Sequence, residues 1–143
     1  MRTTIYIIMC VFLLSACEFE TSDNGDLDGY WQWLSLDTLS SGECVDMRET
    51  LIFWAFEGDL LEIRDNCGSN PNVFFRFSHE ADSLFIYDPI LDKKDSSDIV
   101  LTDYSVLIPY AIQSMPEHFH VDHLSGSSMT LSSESFRLSF RKY

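Results

Sequence analysis

From residue 29 onward the chain is a succession of short runs rich in aromatic and β-branched residues, cut at close intervals by turn residues. That rhythm leaves few folds open. Val45 to Phe56 and Leu60 to Asp65 flank Glu57-Gly58-Asp59, and Asn72 to His79 and Ser83 to Asp88 flank Glu80-Ala81-Asp82. Both arrangements carry the signal of a tight β-hairpin. Three further runs, His118 to Leu124, Ser128 to Ser132 and Ser135 to Lys142, are joined by Ser125-Gly126-Ser127 and Ser133-Glu134. In the last of them Phe136, Leu138 and Phe140 alternate with Arg137, Ser139 and Arg141, the pattern of a strand with one buried and one wet face. No run has the period of an amphipathic helix. Tyr110 to Met115 has room for a turn, and Asp92 to Asp98 reads as a charged loop. The expected fold is all-β, an antiparallel up-and-down meander. Closing it into a small barrel of about eight strands removes the free edges a long meander would otherwise present. A β-sandwich remains the alternative that patterning leaves open.

One run departs from simple alternation. Leu51-Ile52-Phe53-Trp54-Ala55-Phe56 is apolar on both faces. Either its outer face is covered, or the residues around Ile52, Trp54 and Phe56 form an exposed binding surface.

The N-terminus fixes an expected address. Arg2 leads into an apolar run from Ile5 to Leu14, followed by Ser15-Ala16-Cys17. The run is too short to span a bilayer and has the length of a signal-peptide core. The leucine, small-small, cysteine box resembles that of bacterial lipoproteins, which implies removal of residues 1–16 and lipid modification of Cys17. Residues 17–27, polar and acidic with Gly25, then read as the lipidated cysteine and a flexible tether, and residues 28–143 as one folded domain. Acyl chains on Cys17 would supply the membrane attachment. Glu18, Glu20 and Asp23 resemble the acidic surface-export signals of Bacteroidetes lipoproteins, so the expected location is the cell envelope, at the outer membrane, with the face open. The 23 acidic against 9 basic residues give a formal net charge of −14. Such a surface repels phosphate backbones, which argues against nucleic-acid partners.

Of the four cysteines, Cys10 leaves with the leader and Cys17 takes the lipid. Cys44 and Cys67 remain in an exported chain, where disulfides persist, and a bridge between them is expected. Closing that span would stabilise the fold by roughly 3 kcal/mol. Free thiols are the alternative.

Asp28-Gly29-Tyr30-Trp31 opens the first strand, and here the chain resembles the lipocalin or calycin group. In that group a Gly-x-Trp element begins the barrel, and its tryptophan closes one end against a late arginine. The resemblance maps Gly29 and Trp31 onto the motif and makes Arg137 and Arg141 the candidates for the cation over the indole. Phe119-His120-Val121, Met129-Thr130-Leu131 and Phe136 through Tyr143 are similar to the ending of small lipocalin-like lipoproteins of Bacteroidetes. Thr102-Asp103-Tyr104 resembles a second lipocalin motif, normally found at the closed end. An ordinary loop-to-strand junction is the other reading of those three residues.

The chemistry on offer is sparse. His118, His120 and Asp122 would share one face of a strand, a spacing at which two imidazoles can reach one zinc ion. Phe119 and Val121 are the natural core-facing pair, however, which points the histidines outward to a polar surface. No nucleophile elbow, phosphate loop or cysteine beside a histidine is present. Paired carboxylates such as Glu57 with Asp59, or Asp92 with Asp95, lie in turns where they are usually solvated. The expectation is therefore a protein without enzymatic activity, metal or cofactor. Trp33, Trp54, Phe75, Tyr87 and Phe119 are the candidates to line a lumen, since an eight-stranded barrel either fills with side chains or holds one small ligand. The leading functional expectation is binding of a small apolar or amphipathic molecule. A ligand-free interaction or accessory module of an envelope complex is the alternative.

Overall fold

A computed structural model describes residues 23–93 and 99–143. The lipobox with Cys17, the tether as far as residue 22, and Asp95 lie outside the described residues. Among the described residues ten strands form: β1 (Gly29–Thr38), β2 (Cys44–Asp46), β3 (Ile52–Glu57), β4 (Leu60–Asp65), β5 (Val73–Glu80), β6 (Ser83–Leu91), β7 (Ile99–Val100), β8 (Glu117–Leu124), β9 (Ser128–Ser132) and β10 (Phe136–Lys142). The sheet runs β10-β9-β8-β6-β5-β4-β3-β1-β2, and β10 also pairs with β1. That pairing, from Trp31 opposite Lys142 to Thr38 opposite Phe136, closes an eight-stranded antiparallel barrel and removes both long edges. The short β2 and β7 lie outside the ring, on β1 and β6. A sandwich is thereby ruled out.

The hairpins follow the turn residues. Glu57 pairs with Leu60, so Gly58 and Asp59 alone make the β3–β4 turn, with Gly58 at φ +61°. A side chain is strained at that angle, which is why glycine sits there. Glu80 pairs with Ser83 around Ala81, which adopts φ +50° without that freedom. The run from Val45 to Phe56 is not one strand. It breaks at a 3₁₀ turn, Arg48–Thr50, which ends on Leu51 in the left-handed region. Met47, just before that turn, is tucked into the core. Between the expected charged loop and the expected turn, Tyr104–Tyr110 fold into a seven-residue 3₁₀ helix.

The two barrel ends differ. At one end lie the β3–β4, β5–β6 and β8–β9 turns and the 3₁₀ turn Gly25–Leu27 that precedes β1. At the other lie the long connections: residues 39–51 and 66–72, and the described parts of the β6–β8 connection, 92–93 and 99–116. The core runs continuously between them.

Candidate functional site

The barrel interior is the natural place to look for a site, and period-two alternation decides what faces it. Trp31 and Trp33 of β1, Trp54 and Phe56 of β3, Phe75 and Phe77 of β5, Phe119 of β8 and Phe140 of β10 all point inward and are buried. Trp54 sits among three of them, its ring centre 5.0 Å from Phe140, 5.7 Å from Phe119 and 6.4 Å from Phe56. Phe56 in turn meets Phe77 edge-on at 5.1 Å. Trp33, Trp54 and Phe119 are 0% exposed and Phe75 1%, so almost none of their surface is open even to a water molecule. The expected lining residues therefore form a filled core rather than the wall of an open cavity. Aromatic volume is the reason, since an eight-stranded barrel has only enough interior for its own side chains when many of them are this large. Tyr87, the fifth candidate, lies on the outer face of β6, partly exposed.

Both ends are stopped. At the turn-rich end Trp31 donates its indole N–H to the Leu27 carbonyl at 2.9 Å. The cation over its ring is Lys142, with Nζ 4.8 Å from the ring centre. Neither expected arginine takes that place. Leu138, Phe140 and Lys142 share the inner face of β10, so Arg137 and Arg141 must point outward. Arg141 bonds Gln32 Oε1 at 2.7 Å, and Arg137 lies 3.5 Å from the Asp122 carboxylate.

At the long-loop end the 3₁₀ helix acts as a plug. Leu107, Tyr110, Ala111 and Ile112 join the core, with Leu101 beside them. Tyr110 donates its hydroxyl to the Pro71 carbonyl at 2.6 Å. Asp103 starts the helix by accepting the Ser105 backbone N–H at 3.0 Å. Hydrogen bonding from the Ser105 side chain, and then from its backbone N–H, holds the Asp103 carboxyl below the usual carboxylate range. Thr102-Asp103-Tyr104 is thus a helix entry at the end opposite Trp31. It is neither a closed-end motif nor a loop-to-strand junction.

Two buried carboxylates frame this end, and nothing in the sequence period singled them out. Asp65 accepts N–H groups from Cys67, Gly68 and Asn70 and from the Asn70 side chain, at 2.9 to 3.1 Å, and so folds the β4–β5 loop around itself. The only signal was the turn composition Asp65-Asn66-Cys67-Gly68-Ser69-Asn70. Glu117 accepts the Gln113 and Ser114 amides at 2.9 and 3.3 Å, which anchors the exit of the plug.

The outer wall carries the remaining candidates. Phe53, the bulkiest outward residue of the doubly apolar run, is covered by the chain itself: Tyr30 stacks on it at 4.6 Å and Tyr143 meets it edge-on at 5.5 Å. Ile52, Trp54 and Phe56 are interior and make no exposed patch. The histidines face outward, as their spacing around Phe119 and Val121 indicated. His118 stacks on Phe85 at 4.4 Å, and His120 Nδ1 is 2.7 Å from Asp122 Oδ1. Asp122 loses hydration in this spot. Hydrogen bonds from His120 and Ser132, with Arg137 nearby, outweigh that loss and hold its carboxyl low. His118, His120 and Ser132 border an open polar groove of about 430 Å³ between Pro116 and Glu134. Among the described residues no set of His, Cys, Asp and Glu side chains could hold a metal ion.

The expected disulfide is absent. Cys44 and Cys67 are exposed free thiols. Cys44 sits opposite Asp37 in the β1–β2 pair, where a hydrogen bond to that carboxylate raises its pKa. Cys67 instead faces the Glu49 carbonyl at 3.8 Å. Cys44 is held on β2 and Cys67 in the β4–β5 loop, and these elements do not bring the two thiols together.

An eight-stranded meander barrel, entered by Gly-x-Trp and closed by the first and last strands, defines the lipocalin class of architecture. The chain belongs to the lipocalin-like domain family, whose model matches residues 12–143. Among solved structures it is similar to a lipocalin-like protein from Bacteroides uniformis ATCC 8492, with a TM-score of 0.60 and 23% identity over 83% of this chain and 100% of that one. A protein from Burkholderia xenovorans shares the fold with a TM-score of 0.55 and 10% identity over 90% and 94% of the two chains. An uncharacterized protein from Bacteroides eggerthii DSM 20697 does so at 0.50 and 21% over 81% and 98%. At these identities the likeness speaks to fold alone. No curated protein matches.

Proposed function

We propose that this is a lipid-anchored lipoprotein of the bacterial cell envelope whose barrel serves as a non-enzymatic interaction module. Its docking end is the plugged one. The observation that carries this reading is the filled lumen: the side chains that would line a ligand cavity pack against one another, with a stop at each end. Most of the exposed apolar side chains support it, although Leu60 and Tyr143 lie at the turn-rich end and Phe85 and Tyr87 on the wall. Leu39, Val45, Leu51, Val100, Tyr104 and Ile108 all lie on connections or short strands at the plugged end. The lipobox at Cys17 supports the anchoring, and Glu18, Glu20 and Asp23 after it support the outer-membrane location. A photo-crosslinking residue at Ile108 tests the docking end in intact cells. The expected result is one discrete adduct with an envelope protein, lost when Tyr104 is replaced by Asp. Anchoring is tested by fatty-acid labelling, which Cys17→Ser should abolish.

A second reading, carriage of a small apolar or amphipathic ligand, is favoured by one specific atom. Trp54 Nε1 is a buried donor without a hydrogen-bond partner in the middle of the barrel. An acceptor delivered by a ligand would satisfy it, provided the plug swings aside. A rise of several degrees in Tm with a fatty acid or other apolar ligand, together with quenching of Trp54, would decide for carriage. No stabilisation across such a panel is the outcome expected of the filled barrel.

A further inference from the structure

The interaction module is tied down at the end opposite its docking surface. Residues 24–28 are stapled across the turn-rich end by three bonds from different parts of the chain. Asn24 donates its side-chain amide to the Gly58 carbonyl at 2.7 Å, Trp31 donates to Leu27, and Lys142 Nζ donates to the Asp26 carbonyl at 2.9 Å. The chain therefore leaves the barrel towards Cys17 from this end. From Cys17 to Asn24 it can reach at most about 25 Å, even fully extended. A ten-residue strand such as β1 is about 33 Å long at about 3.3 Å per residue, and strand tilt in a barrel shortens this to a height of about 25 Å. To lay the plugged end on the lipid, the leash would have to run straight up the wall with nothing to spare. A net charge of −14 gives that wall no attraction to an anionic bilayer.

We propose that the barrel stands on its membrane with the Trp31 end down, so that the plugged end, with Leu51, Val100, Tyr104 and Ile108, is held away from the lipid. Its occupant is then a protein approaching from the aqueous side, with an apolar centre and a basic rim to match the acidic surface. This rests on the anchoring read from the lipobox, and the two can fail separately. The test uses the full acylated protein in vesicles of phosphatidylethanolamine and phosphatidylglycerol carrying a headgroup acceptor dye. A fluorescent residue is placed at Ser127, in the exposed β8–β9 turn, or at Ser69, in the exposed β4–β5 loop. Energy transfer from position 127 should exceed that from position 69 at least about twofold. Equal or reversed transfer overturns the orientation. Should mass spectrometry find Cys17 unacylated, anchoring fails by itself. The orientation is then read with the Cys17 thiol coupled to a maleimide lipid in a Cys44→Ser, Cys67→Ser background, under the same two criteria.

Discussion

Lys142 lies directly opposite Trp31 in the β1–β10 ladder and places its ammonium 4.8 Å from the indole centre while donating to the Asp26 carbonyl. One side chain thereby joins the last strand, the first strand and the segment that leads to the N-terminus. Lys142→Met keeps the aliphatic length and removes the charge. It should lower stability by about 1–2 kcal/mol. Arg137→Ala, which loses only an exposed ion pair with Asp122, should cost less than about 1 kcal/mol. Chemical denaturation of the two variants side by side checks the order.

Tyr110 gives the plug a signature in alkali. Burial, with the Asp65 carboxylate as the lesser cause, raises its pKa well above the ordinary tyrosine value. The unfolded chain releases this proton near pH 10 and the folded chain only higher. Above about pH 10 the native state thus binds more protons than the unfolded one, and stability falls as pH rises. Tyr110→Phe should be about 1 kcal/mol less stable at pH 7, through loss of the bond to Pro71, and should decline less steeply above pH 10. Thermal unfolding across that range measures both slopes.

Trp31 and Trp54 are equally buried yet differ in one bond. Trp31 Nε1 reaches the Leu27 carbonyl, while Trp54 Nε1 has no partner. Replacing either with Phe leaves a similar void. Trp54→Phe also removes a buried unsatisfied donor, whereas Trp31→Phe orphans a carbonyl and weakens the platform under Lys142. Trp31→Phe should therefore cost about 1–2 kcal/mol more than Trp54→Phe. Equal losses would show that the Trp54 N–H is satisfied in solution.

Asp65 should be the least replaceable carboxylate in the plugged end. Asp65→Ala strands the backbone N–H groups of Cys67 and Asn70 at once and leaves that of Gly68 only the Asp65 carbonyl. A loss of about 2–3 kcal/mol is expected, partly restored in Asp65→Asn, which keeps one acceptor oxygen. Urea midpoints of the three proteins give the comparison.

Much of this molecule was legible in the chain itself. Strand class, the Gly58 hairpin, the inward turn of Phe136, Leu138 and Phe140 and the outward turn of the histidines all follow from period two and from turn chemistry, which act between near neighbours. The Gly29-Tyr30-Trp31 start also pointed correctly to a barrel of about eight strands. What lay beyond reach depends on groups far apart in sequence. Whether the lumen is open depends on the summed volume of side chains from eight strands, so Trp54 and Phe119 read equally well as cavity wall or core filling until packed together. Lys142 rather than an arginine covers Trp31 because the β1–β10 register, set only on closure, brings those two positions opposite each other. The cysteines stay apart because one belongs to β2 and the other to the β4–β5 loop, and no spacing along the chain reports the distance between those elements. Local periodicity determined the strands and their faces; ring closure and the crowding inside it decided that the barrel is full and which end remains to meet a partner.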